Sequence, residues 1–100
     1  MAGVKLVLLV RFKSPLPLDE VVKVANSRAD EFRALPGLTQ KYYVRDKATG
    51  EIGGLYLWDS EEAFDDYRSS ELRATIAKAY RVEGAPRLDV LDVLMPLREG

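Results

Sequence analysis

The sequence predicts an α+β domain of the ferredoxin-like order βαββαβ, with its helices on one face of an antiparallel sheet. Three observations carry this expectation: two stretches of helical periodicity, four strand-length segments with apolar alternation, and a short turn joining the middle two strands. One hundred residues, 47% hydrophobic and 31% charged, suit one globular domain spanning 1–100. A domain this small buries a limited share of its surface, so a second subunit covering an apolar face would add stability.

The first strand is expected over Val4 to Phe12. Val4, Leu6, Leu8, Val10 and Phe12 fall on one face, and Lys5, Val7, Leu9 and Arg11 on the other, so both faces carry apolar residues. Ser14-Pro15-Leu16-Pro17 breaks the strand. Leu18, Val21, Val22, Ala25, Ala29 and Phe32 then recur at helical spacing until Pro36-Gly37 ends the helix.

Leu38 to Asp46 reads as the second strand and Ile52 to Trp58 as the third, joined by Lys47 to Gly50 with Thr49-Gly50 as the hairpin tip. Gly53-Gly54 marks a bulge or a place where another backbone comes close. Asp59 or Ser60 caps the next helix, whose stripe is Ala63, Phe64 and Tyr67. Ser69-Ser70 allows a restart with Leu72, Ile76, Ala79 and Tyr80 inward, and Gly84-Ala85-Pro86 ends it. The last strand is expected over Arg87 to Met95; its apolar phase slips after Val90, which implies a bulge or burial on both faces. Arg11, at the end of the first strand, is by default a solvated charge, with Asp92 or a ligand as its alternative partner.

If Leu6 to Phe12 meet the helices, Val7 and Leu9 lie on the open face. Such an apolar face predicts a homodimer packed sheet against sheet. The βαββαβ order also belongs to RNA-recognition domains, but their third-strand motif, laid on Gly53 to Ala63, puts Glu51 at the basic position and Gly53 and Leu55 at the stacking positions. The same alignment turns Tyr56 and Trp58 toward the helices and Leu55 and Leu57 outward, beside Val7 and Leu9.

Fifteen basic and sixteen acidic residues give a net charge of −1, without the basic field that nucleic acid or an anionic membrane requires. The apolar run Leu6 to Val10 is too short for a membrane span or a secretory signal. A cytoplasmic location is the expectation. The chain has no Cys and no His, which excludes thiolate nucleophiles, disulfides, zinc sites built on those residues and histidine general bases. Proton chemistry is left to Asp, Glu, Lys, Tyr, substrate or water.

Pro36-Gly37-Leu38 with Lys41 and Tyr43, followed by Gly53-Gly54-Leu55-Tyr56-Leu57-Trp58 and Ala63 with Tyr67, resembles the YdhR-like monooxygenase family over nearly the whole chain. The resemblance implies a dimeric α+β barrel in which two such sheets pack face to face. It also implies a cofactor-independent monooxygenase, an oxidoreductase acting on a phenolic or polycyclic aromatic substrate held between sheet and helices. An isomerase or lactone-handling enzyme, or a dimeric binding protein without catalysis, are the alternatives on the same barrel.

On that reading Lys41 stabilises an anionic substrate or developing superoxide, and Tyr43, on the same strand face, is its catalytic partner. Tyr56, Trp58, Tyr67 and Arg45 bind the substrate, Trp58 as a stacking wall. Each has a plainer role to set against this: core packing for Tyr56, Trp58 and Tyr67, a solvated strand or interface charge for Lys41 and Arg45.

Overall fold

A computed structural model describes residues 3–98. The strands are β1 (Leu6–Lys13), β2 (Leu38–Arg45), β3 (Ile52–Trp58) and β4 (Glu83–Asp92); the helices are α1 (Leu18–Arg33), α2 (Glu61–Arg68), α3 (Glu71–Ala74) and α4 (Ile76–Ala79). The sheet is antiparallel in the order β2-β3-β1-β4, so the chain has the ferredoxin-like α+β fold.

The β1–β3 register pairs Leu6 with Trp58, Leu8 with Tyr56 and Val10 with Gly54. Because side chains alternate along a strand, these residues share the helix-facing side, and all are buried. Phe32 from α1, Phe64 and Tyr67 from α2, and Tyr80 beyond α4 complete the core. Val7, Leu9, Leu55 and Leu57 lie on the opposite face, half-buried in the single chain.

Gly53 is required by close approach. A Cβ there would stand 1.7 Å from the Val10 carbonyl oxygen, a backbone atom that cannot swing away. The hairpin turn needs glycine for a different reason: Gly50 has φ +78°, while the Asp46 side chain accepts from the Ala48 N–H at 2.8 Å. Ser60, rather than Asp59, caps α2 by accepting from the Ala63 N–H at 3.1 Å.

Three expectations are corrected. Gly84-Ala85-Pro86 opens β4 instead of preceding it, and the strand ends at Asp92 rather than Met95. β4 is an edge strand, where a proline without an N–H is tolerated, and Gly84 at φ +73° fits its irregular start: Arg11 pairs with Arg87 but Lys13 with Glu83. Pairing from Arg87 to Asp92 is unbroken, so the apolar phase slip reflects apolar residues on both faces rather than a bulge there: Leu88 and Val90 turn toward the helices and Leu91 toward the open side.

The second correction concerns Arg11. Asp92 pairs with Leu6 at the far end of β1, and Arg11 instead donates to Asp89 at 2.9 Å and approaches Asp46 at 3.8 Å. Thirdly, the restarted helix is two single turns divided at Thr75. The Thr75 hydroxyl donates to the Leu72 carbonyl at 3.0 Å and accepts from Arg28 at 2.9 Å, competing with continuation of the helix.

Gly53→Ala should destabilise the protein by more than about 2 kcal/mol, because either β1 or β3 must shift. Gly3→Ala, where nothing lies within 4 Å, should change stability by less than about 0.5 kcal/mol. Urea unfolding of both variants checks the pair; equal effects would contradict the close approach.

Candidate functional site

A cavity of about 150 Å³ lies between α1, the C-terminal half of β2 and the start of β3. By the same measure one water takes roughly 10–15 Å³, so the space equals about ten waters, enough for a two- or three-ring aromatic body. Lys41, Tyr43 and Arg45 reach it from β2, Tyr56 from β3, Val21 from α1 and Phe12 from β1. Alternation puts Lys41, Tyr43 and Arg45 on one face, and pairing of Lys41 with Tyr56 sets the lysine stem beside the phenol ring.

The Lys41 Nζ sits 3.4 Å from the centre of the Phe32 ring, 4.4 Å from Tyr43 and 4.5 Å from Tyr56. Gly54 makes room for its stem: a Cβ at that position would meet the Lys41 Cε at 3.1 Å and the Tyr56 ring at 2.9 Å. Among the described residues no carboxylate comes within ion-pair distance of Lys41. Burial, and secondarily the Arg28 guanidinium, lower its pKa from 10.5 to about 7. Arg28 is held in position by bonds to the Leu72 carbonyl and the Thr75 hydroxyl, each at 2.9 Å.

The phenols respond in the opposite direction. Burial raises the pKa values of Tyr43, Tyr56 and Tyr67, and raises that of Tyr80 to about 12, so all four remain protonated donors at neutral pH. Tyr67 donates to the Tyr56 hydroxyl at 3.2 Å.

Of the six residues singled out from sequence, Lys41, Tyr43, Arg45 and Tyr56 are brought together at this cavity. Trp58 lies behind Tyr56 with no exposed surface, its ring parallel to that phenol at 6.3 Å, and its indole N–H is buried without a partner among the described residues. Tyr67 lines a second cavity of about 550 Å³ between β1, β4 and the α2–α4 region. Phe32 and Arg28 escaped notice as site residues. Four residues apart on α1, they occupy one helical stripe, and an arginine on an otherwise apolar stripe was the available signal.

Protonation linkage around this site gives a testable pH profile. A lysine whose folded pKa is depressed makes the unfolded chain bind more protons between about pH 7 and 10.5, so stability rises with pH across that window. Tyrosines with raised folded pKa values contribute stability that is lost above about pH 10 as the unfolded phenols ionise. Chemical denaturation should therefore show a maximum near pH 10. Lys41→Met should gain about 1–3 kcal/mol at pH 7 and flatten the rise; an unchanged profile would contradict the buried amine.

The chain superposes on a cofactor-independent oxygenase, SnoaB from Streptomyces nogalater, with a TM-score of 0.73 and 17% identity, covering 97% of this chain and 100% of that one. A monooxygenase from the gene ActVA-Orf6 of Streptomyces coelicolor, solved with the ligand nanaomycin D, gives 0.70 and 23% identity over 97% and 94% of the two chains. A dimeric ferredoxin-like protein of unknown function from Thermobifida fusca gives 0.68 and 16% over 91% and 92%. No curated protein matches.

The fold is thus the α+β, ferredoxin-like fold that these oxygenases share. Residues 7–86 match the family model described as "Putative mono-oxygenase ydhR", and the chain belongs to that family. Membership supports a monooxygenase-like role. Among the described residues, no helix is long and apolar enough to cross a membrane.

Proposed function

We propose that the protein is a cofactor-independent monooxygenase that oxidises a phenolic or polycyclic aromatic substrate in the cavity beneath α1. The observation that carries this reading is Lys41: it lines an apolar cavity, has no carboxylate partner among the described residues, and burial lowers its pKa to about 7. At neutral pH about half of it is free base.

The neutral amine accepts a proton from an acidic ring CH₂ or hydroxyl of an anthrone-like substrate. The resulting anion is electron-rich, and the new ammonium beside it stabilises the charge. Electron transfer to O₂ and recombination at the ring carbon give a peroxide, which loses water to leave a carbonyl. Overall, CH₂ plus O₂ becomes C=O plus H₂O, with both reducing electron pairs drawn from the substrate. Lys41 returns its proton to the departing hydroxide. Tyr43 and Tyr56 supply neutral hydroxyls for the substrate's oxygen atoms, and Arg45 adds positive charge at the rim.

The working unit is a homodimer closed through the open sheet face. Val7, Leu9, Leu55 and Leu57 form a continuous apolar patch there, flanked by Tyr42 and Leu91, each more than half exposed. A fold relative described as dimeric agrees with this assembly. Intracellular expression in the cytoplasm fits a chain without cysteine.

Incubation with 1,8-dihydroxyanthrone under oxygen should produce the quinone, with activity rising through about pH 7 as Lys41 loses its proton. Lys41→Met should lower kcat/KM by roughly 10²–10⁴-fold. Chromatography showing no quinone above a boiled control would overturn the oxygenase, and saturable binding without turnover would assign a binding protein instead. Sedimentation should show a dimer that Leu9→Arg dissociates; a wild-type monomer at micromolar concentration would remove the paired sheets.

A further inference from the structure

We propose that Lys41 is the anchor of a reversible covalent site, in which its amine captures small apolar aldehydes and ketones as imines inside the α1–β2–β3 cavity. Three structural facts point to this chemistry. Lys41 lines a cavity large enough for an aromatic body and walled by Phe12, Val21, Ile52 and Tyr56, and it also lines a neighbouring cavity beside Phe32 and Arg33. Among the described residues no acid pairs with it, so no carboxylate holds it in the charged form. The other five lysines, Lys5, Lys13, Lys23, Lys47 and Lys78, are all exposed.

The step balances without oxidant or reductant. The Nζ lone pair attacks the carbonyl carbon, the C=O π pair moves to oxygen, and one amine proton transfers to that oxygen to give a carbinolamine. Loss of its hydroxyl with a second proton forms the C=N bond and releases one water. Tyr43, protonated and lining the same cavity, is the donor that helps the hydroxyl leave. The product is favoured twice over by its surroundings. Apolar walls limit the water needed for hydrolysis, and the protonated imine retains the three rings that surround Nζ.

Desolvation beside another cation is an established way to activate a lysine as a nucleophile. The groups around Nζ fit this: the Arg28 guanidinium on α1 acts on it, and the rings of Phe32 on α1, Tyr43 on β2 and Tyr56 on β3 surround it, with both phenols protonated. Burial with Arg28 brings the pKa to about 7, so at pH 7 the neutral fraction exceeds that of an exposed lysine by roughly 10³-fold.

This capture consumes no oxygen, so it stands or falls separately from the oxygenase reading. The test uses the full chain, 2-naphthaldehyde as the probe and cyanoborohydride to fix the imine, with peptide mapping by mass spectrometry at pH 7. Lys41 should be the most rapidly labelled lysine, by at least about 100-fold, with a rate that is half-maximal near pH 7. In urea its advantage should vanish. The site is located in the wild-type protein, so the result needs no variant to fold; Lys41→Arg should in addition abolish that adduct. Labelling confined to the α-amine and the exposed lysines, or a Lys41 rate equal in folded and unfolded chains, would overturn the proposal. Quinone formation by the same preparation is scored independently.

Discussion

The contact between the Gly53 backbone and the Val10 carbonyl governs the rest of the structure. It sets β3 against β1 in a register where Leu6, Leu8, Val10 and Phe12 meet Trp58, Tyr56, Gly54 and Ile52 beneath the helices. A slip of one residue would turn Tyr56 and Trp58 to the open face and bring Leu55 and Leu57 inward. Since β2 is registered on β3, Lys41 would be carried to the open face together with Tyr56. Two adjacent glycines thus have distinct duties: Gly53 lets the backbones approach, and Gly54 leaves room for the lysine stem.

A lysine half-buried among aromatic rings runs against stability. Removing an ammonium from water is costly, and the Phe32, Tyr43 and Tyr56 rings return only part of that as cation–π attraction, about 0.5–2 kcal/mol for one well-placed pair. The molecule could relieve the cost by pairing Lys41 with an acid. Instead the charge that acts on it is that of Arg28, tied down by the Leu72 carbonyl and Thr75. Local destabilisation of this kind, maintained by a fixed neighbour, is a common property of functional sites in general.

Much of this was legible from residue order. The alternation in Leu6 to Phe12 identified the inner face of β1, and Ile52 to Trp58 was bounded correctly because Gly50 and Ser60 punctuate it on either side. Lys41, Tyr43 and Arg45 followed from period-two spacing on one strand. What resisted was tertiary. Pro86 reads as a breaker unless the strand is known to lie at an edge, and Arg11 could be matched to Asp89 only once the β1–β4 register was available. Trp58 drew attention as a ligand wall through its chemistry, while its depth behind Tyr56 depends on α1 and α2 together. The partnership of Arg28 with Lys41 joins a helix to a strand and leaves no periodic trace.

Phe12 and Ile76 line both the cavity beneath α1 and the larger one against β4. They therefore act as a shared partition between two chambers. Trimming either side chain would let the chambers merge, converting a short compartment into a longer channel while leaving Lys41 and its rings untouched. Related chains could diverge in the size of molecule they accept through these two positions, with no change to the sheet, the hairpin or the charged groups.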